Sequence, residues 1–538
     1  MVGWARDPRV PDWVRLAAAV AILMPAVALL VVVGAAGHPG AYRALAGVLA
    51  LAALAVAIMR PEVAPVAIGA IVMANAGQVI HDRADVPDIL HAALALSAIA
   101  LLARPSGRAL LVARTPVTVA FLAFATVRWL SALLAPGAAD SGAVLRDLAW
   151  GLLLVAVVTA AVSDRRALRW TVRTVVALAA ALAALTILKR VGVDSTFAGF
   201  AKSPAVAPEV LADLRGAAAP TSDRATGPLG DPALWAQALL LVVPLAGWAV
   251  WEARASRARL AWIAAGVLIV VSIALTQSRS AFVGLGLVVA LALWARGQRG
   301  LRIGLAALAA LAIGGGAFYV TSHYETVNEI RTAPASEHEA LRARLSENLA
   351  GLYMLEDHPL TGVGAGQFEE NYQAYARRIG IDDRFKRSAH NSYVQMAAES
   401  GALGLVTFLG LLVATLGSAM RARRLLLAAR RVVDARLAEA MVIGVGVYAA
   451  MAAVNDFAFP IYLWLAMGLA GGMLIMAEAE ARRAPAAAAA APAPHGASAA
   501  PAPPSTSEPR RRLPGSGMIR RRRGGGNSPR DDAGPSAD

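Results

Sequence analysis

One imidazole and several guanidinium groups stand out in a chain that is otherwise mostly apolar. His390 lies in "RSAHNSYVQMAAESGALGLV" (387–406), a polar head on an apolar run. Arg279 lies in "TQSRSAF" (276–282) and Arg224 in "SDRATGPLGDP" (222–232), each at the edge of another apolar run. Arg128 and the neighbouring Arg146 and Asp147 lie inside or near two more. Arginine binds phosphate through a planar fork and keeps its charge. Histidine, with an ordinary pKa near ~6.5, takes a proton from a hydroxyl near neutral pH. Arginines facing a departing pyrophosphate stabilise the charge developing on it. Such a basic pocket suits the transfer of a sugar chain from a lipid pyrophosphate to an acceptor hydroxyl. Taken singly, each arginine also fits an interfacial side chain reaching for water, and His390 fits a satisfied structural histidine.

Other chemistries are poorly served. Four of the eight histidines, His323, His338, His358 and His390, share one segment but lie 15, 20 and 32 residues apart. A zinc site of the H-E-x-x-H kind needs a closer pair, so no metal and no other cofactor is expected. The absence of cysteine removes disulfides, thiolate ligands and a cysteine nucleophile. In "HPLTGVGAGQF" (358–368) the G-x-G-x-x-G spacing fails because Gln367 stands at the third position. That stretch reads as a tight turn ending a helix.

The elements that must hold these groups are membrane helices. The chain has 538 residues, 58% hydrophobic and 16% charged, with a mean hydropathy of +0.56. A soluble chain carries about 25% charged residues. The apolar runs are long enough to cross ~30 Å of hydrocarbon. Fourteen spans are expected: 16–34, 41–59, 63–80, 88–103, 116–135, 143–162, 168–188, 232–251, 259–276, 280–295, 302–320, 399–419, 437–455 and 459–477. The short connections on the side of the termini, with the span edges beside them, hold 23 arginines against 3 in the short connections of the other side, the long loops 189–231 and 321–398 being exempt from the count. The positive-inside rule then puts both termini in the cytoplasm and His390 on the outer face. Most of the formal +15 charge becomes a topogenic signal, and nucleic acid is not an expected partner. The first apolar run is long for a signal peptide and a second follows at once, so it reads as a retained signal-anchor.

Two segments lie outside the spans. In loop 321–398, "SEHEALRARLSENLAGLYMLEDH" predicts a helix, with Ser336 and Glu339 as a capping box. Its apolar stripe would be Leu341, Leu345, Leu349 and Leu352. After Ala477 the chain turns to Pro/Ala/Ser low complexity ending in two arginine runs. That composition fits a disordered tail held near anionic lipid, or a docking segment. The expected division is therefore 1–220, N-terminal transmembrane helices; 221–477, the region with the chemistry, including the loop; and 478–538, the tail.

Four motifs together resemble the O-antigen ligase/polymerase superfamily of integral membrane glycosyltransferases. They are "RATGPLGDPALWAQALLLVVPLA" (224–246), "LTQSRSAFVGL" (275–285), "RLSENLAGLYMLEDHPLTGVGAGQF" (344–368) and "AHNSYVQMAAESGALG" (389–404). They stand in family order over roughly 220–460, whereas the first seven spans match only in hydropathy. The resemblance implies an all-α polytopic fold of the C type, with about 12–14 transmembrane helices, in a bacterial inner membrane. It implies an inverting transfer, without metal or nucleotide sugar, from an undecaprenyl-pyrophosphate-linked glycan. The acceptor would be lipid A-core for a ligase, or a growing glycan for a polymerase. Carried over by motif, Arg224 and Arg279 would bind the pyrophosphate; Arg128 and Arg146, by their position in or near outer-leaflet spans, are expected to join them. His390 would orient or deprotonate the acceptor hydroxyl; Gly362, Gly364 and Gly401 would shape the loop. Asp231 and Ala233 stand where the family commonly has asparagine. A transporter of lipid-linked glycan and a non-catalytic assembly protein are the competing readings.

Overall fold

The computed structural model describes residues 63–77, 88–102, 108–134, 141–162, 164–190, 225–295, 297, 339–380, 387–455 and 460–490. The chain forms two compact units, Met1–Ala486 and Ala487–Asp538. The first holds the helical bundle. Among the described residues the regular elements are all helical: α1 (Ala64–Met73), α2 (Ile89–Leu102), α3 (Arg108–Ala113), α4 (Pro116–Leu134), α5 (Ser141–Ala161), α6 (Arg165–Arg190), α7 (Pro232–Glu252), α8 (Ser256–Leu275), α9 (Arg279–Ala295), α10 (Glu339–Asp357), α11 (Phe368–Arg378), α12 (Ser392–Ala428), α13 (Val432–Met451) and α14 (Ile461–Ala490).

Seven of these helices are long and apolar enough to cross a membrane: α4, α5, α6, α7, α8, α12 and α14. Helices α1, α2 and α9 are apolar but shorter. The chain is thus an all-α polytopic membrane protein. The expected spans at 16–34, 41–59 and 302–320 lie outside the described residues. Helix α13 replaces the expected span 437–455 but starts five residues earlier, adding Asp434 and Arg436 to the Glu439 already within it. Those charges are tolerated because they are paired, Asp434 with Arg165 and Arg169, and Glu439 with Arg423 and Arg436.

Apolar helices in lipid gain little from burying one another, so close fit and polar contacts hold them. Helix α13 packs on α7, and α12 packs on both α13 and α4. Small residues allow the approach: a Cβ on Gly444 would sit 2.7 Å from Leu241 O, and one on Gly468 would sit 2.7 Å from Val158 Cβ. One core runs through the bundle, with Phe121, Phe124, Trp235, Leu239 and Phe408 at its centre. A second, smaller cluster of Ala350, Met354, Val363, Phe368, Tyr372, Ala376, Ala389 and Ala398 belongs to the loop helices α10 and α11 and the start of α12.

Helix α12 departs most from expectation. It is broken at Ser400 (φ −132°, ψ 16°) and Gly401 (φ 65°, ψ −167°), which separates a short Ser392–Glu399 segment from the long run beyond it. Residues 401–428 at ~1.5 Å each reach about 42 Å, more than the hydrocarbon thickness, so the helix passes well beyond the predicted end at 419.

Candidate active site

The site is built around the break in α12. Breaking the helix frees the carbonyls of Ala398 and Glu399, which must find donors elsewhere. The glycine-bearing loop supplies them: Val363 N donates to Ala398 O at 2.9 Å and Gly364 N to Glu399 O at 3.0 Å. Ala402 N beyond the break donates to Pro359 O at 2.8 Å. Gly362 and Gly401 have φ of +69° and +65°, and a Cβ on either would collide with the opposite backbone, Glu399 and Leu360 respectively. The two stretches "HPLTGVGAGQF" and "AAESGALG" are therefore halves of one backbone junction.

Arg128 closes this junction from α4. Its Nη1 donates to Glu399 Oε2 at 2.6 Å and to Ser400 Oγ at 3.2 Å. The Arg128 and Glu399 side chains are only 7% and 2% exposed. Glu399 Oε2 also accepts from Gly366 N at 2.9 Å, and Oε1 from Gln395 Nε2 at 3.0 Å. Ser131, one turn on from Arg128, places its hydroxyl 2.6 Å from Glu399 O and 2.9 Å from Thr361 O. The guanidinium read from the sequence as a phosphate ligand is thus buried against a carboxylate. Arg146, in contrast, is 65% exposed and lies 3.6 Å from Asp147.

His390 sits where the loop enters α12. Its φ is +45°, a left-handed conformation that costs a side-chain-bearing residue about 1–3 kcal/mol. Asn391 then caps the helix, its Oδ1 accepting from Tyr393 N at 3.0 Å and Val394 N at 3.3 Å. Ser392 is tied to the end of α13: its N–H reaches Ala452 O (2.8 Å) and Asn455 O (2.9 Å), and its hydroxyl donates to Asn455 O at 2.8 Å. Asn455 Nδ2 donates in turn to Gln237 Oε1 of α7 at 3.2 Å. The imidazole is 43% exposed, and its Nδ1 lies 3.0 Å from Oε2 of Glu347, a residue of α10 whose side chain is 2% exposed. Sequence reasoning passed over Glu347. Its partner is 43 residues away, and the leucine stripe drew attention to another face. The buried face of α10 instead carries Ser346, Glu347, Ala350, Gly351 and Met354, because a Cβ on Gly351 would strike Val394 and so sets the close approach to α12. Leu352 is exposed, Leu345 and Leu349 are half-buried, and the predicted capping residue Ser336 lies outside the described residues.

Arg279 is the first residue of α9, exposed at the turn that leaves α8. Among the described residues no carboxylate pairs with it. Arg224 lies outside the described residues. The next residue, Ala225, donates its N–H to Leu275 O at 3.0 Å, so the motif after Arg224 meets the motif that carries Arg279. Asp231 caps α7, accepting from Ala233 N at 2.7 Å and Leu234 N at 2.8 Å. That is a sufficient structural role for an acid at this position. Asn75 of the N-terminal half donates to Pro228 O at 3.4 Å and braces the same loop. His358 is exposed on the junction loop. No cluster of metal-ligating side chains occurs among the described residues.

The O-antigen ligase family matches residues 264–409. That stretch runs from within α8 to the run after the break in α12 and includes Arg279, Glu347, Gly362, Gly364, His390, Glu399 and Gly401. No curated protein matches the chain. The match to the O-antigen ligase family over residues 264–409 supports the resemblance to the O-antigen ligase/polymerase superfamily.

Proposed function

We propose, with the match to the O-antigen ligase family as premise, that this protein transfers a glycan from undecaprenyl pyrophosphate to an acceptor hydroxyl. The reaction takes place at the outer face of a bacterial cytoplasmic membrane, with both termini in the cytoplasm. The observation that carries the reading is the state of the arginines at the His390 end. Arg279 is exposed with no carboxylate beside it among the described residues, whereas Arg128 is buried and paired. A guanidinium with no acid beside it among the described residues, at the same end of the helices as an imidazole, is the arrangement a pyrophosphate leaving group and a hydroxyl nucleophile require.

In this reading the acceptor O–H gives its proton to His390 as its oxygen attacks the anomeric carbon. The bond from that carbon to the pyrophosphate oxygen breaks, and the electron pair leaves with the polyprenyl pyrophosphate. Arg279 binds that leaving group; Arg224, carried over from the sequence motif, and the exposed Arg146 are its further proposed ligands. Attack opposite the leaving group inverts the anomeric centre. Arg128 is reassigned to holding the junction, with Gly362, Gly364 and Gly401 as the residues that let the backbones meet.

The test is transfer by purified protein in vesicles, given a polyprenyl-pyrophosphate-linked oligosaccharide, with no nucleotide or metal added. Lipid A-core and a lipid-linked repeat unit are offered as alternative acceptors. A ligase extends the first and a polymerase the second. No transfer to either, together with movement of the donor across the bilayer, would replace the reading with transport.

A further inference from the structure

We propose that Glu347 is the positioning residue of the site, fixing which nitrogen of His390 acts on the acceptor; this deepens the proposed transfer and rests on His390 being its base. Nδ1 of His390 lies 3.0 Å from Glu347 Oε2 and 3.2 Å from the carbonyl oxygen of Ser388. A carboxylate and a carbonyl can only accept, so both demand a proton on Nδ1. The Ser388 hydroxyl, 3.4 Å from the same nitrogen, can turn to accept as well. In the neutral ring the lone pair is therefore on Nε2, which is the nitrogen that takes the acceptor proton. When it does, the imidazolium forms against a carboxylate already in place, with no side chain left to reorganise.

The supports of Glu347 keep that carboxylate still. It stands on the packed face of α10, whose Ser346 hydroxyl lies 3.0 Å from Tyr372 Oη of α11. Its second oxygen faces Arg387 at 3.7 Å, a long contact that holds the carboxylate without occupying Oε2. The backbone at His390 is held in its left-handed turn between this contact and the Asn391 cap. Ring and carboxylate thus come from separate elements, α10 and the entry to α12, and meet only when the loop is docked.

A merely structural tie between α10 and α12 would look the same in a thermal melt, so the test is kinetic. Single-turnover and steady-state transfer, normalised to inserted protein, are compared for wild type, E347Q, E347D, H390A and the double variant E347Q/H390A. The amide of E347Q matches the carboxylate in shape but can donate to Nδ1 and so permits the other tautomer. The expected result is a fall in kcat on the order of 100-fold for E347Q, with KM for the donor unchanged. Partial recovery is expected in E347D, with no additional loss when E347Q is placed on H390A. Transfer by E347Q within threefold of wild type while H390A falls on the order of 1,000-fold to a residual rate would overturn the role of Glu347 alone. So would a further fall in the double variant, which marks a structural tie. Full transfer by H390A would instead overturn the proposed base. Should E347Q fail to insert, E347D on both backgrounds supplies the same comparison.

Discussion

The same helices end in two different ways. At the end opposite His390, arginines are matched to acids across helices. Arg165 meets Asp434 at 2.9 Å and Glu480 at 3.1 Å. Arg169 meets Asp434 at 2.6 Å and Glu252 at 3.3 Å, and Arg173 meets Glu252 at 2.8 Å. Arg423 pairs with Glu439 at 3.0 Å and Arg421 with Glu478 at 2.9 Å, tying the long end of α12 to α13 and α14. At the His390 end the deeply buried pair Arg128–Glu399 serves the backbone junction, and Arg279 stands exposed without an acid among the described residues. The contrast separates arginines that hold helices together from an exposed arginine to which the proposed function gives an anion. Charge counting along a sequence cannot make that separation.

The largest effect that would break the comparison is at Arg279. Replacing it with alanine should lower transfer by about 100-fold or more, and with lysine nearly as much, because a point charge lacks the planar fork. A lysine variant at wild-type rate would reduce the requirement to charge alone. Next is Arg128→Ala, which leaves Glu399 buried without its partner; a loss of about 3–5 kcal/mol is expected in thermal or denaturant unfolding. Arg128→Met combined with Glu399→Leu should recover much of it, and no recovery would mean that Gly366 N and Gln395 depend on the carboxylate more than on the ion pair. A smaller loss, about 1–3 kcal/mol from the left-handed backbone alone, is expected for Gly401→Ala, with more if Leu360 cannot move. Limited proteolysis of loop 358–367 would detect the undocking.

The smallest effect is expected at the surface of the loop helices. Arg378 reaches both oxygens of Asp357, at 2.9 and 2.8 Å, and this hydrogen-bonded contact holds the Asp357 carboxyl below its ordinary 3.8. A depressed carboxylate contributes stability above its unfolded pKa and loses it as pH falls through the folded one. The α10–α11 contact should therefore be unchanged from neutral pH down to about 4 and loosen only below that. Asp357→Asn should remove the acid dependence and leave transfer at neutral pH intact, as hydrogen exchange in α11 and the vesicle assay would show.

Much of this was legible in the sequence because helices in a bilayer leave long apolar runs. The expected spans from 116 to 295 and from 399 to 477 fall on α4 to α9 and α12 to α14, with shifted ends. The motifs at 275–285, 344–368 and 389–404, which fall within the residues matched by the O-antigen ligase family, were legible because they are local. What was hidden is pairing over distance. Arg128 and Glu399 are 271 residues apart, and Arg169 and Asp434 are 265 apart. The arginines at the end opposite His390 read from sequence as a topogenic excess, and nothing nearby in the chain announces their acids. Nor does "AAESGALG" announce a break: its residue types suit a continuous helix, and only the docking of Pro359–Gly364 makes the left-handed Gly401 favourable.

The most direct test sets His390→Ala beside Asp434→Asn in one experiment, measuring transfer per inserted molecule and the melting temperature of each. The account predicts that His390→Ala lowers transfer per folded molecule on the order of 1,000-fold, and that Asp434→Asn lowers the melting temperature while the folded fraction transfers at the wild-type rate. Transfer retained at the wild-type rate in His390→Ala would contradict it.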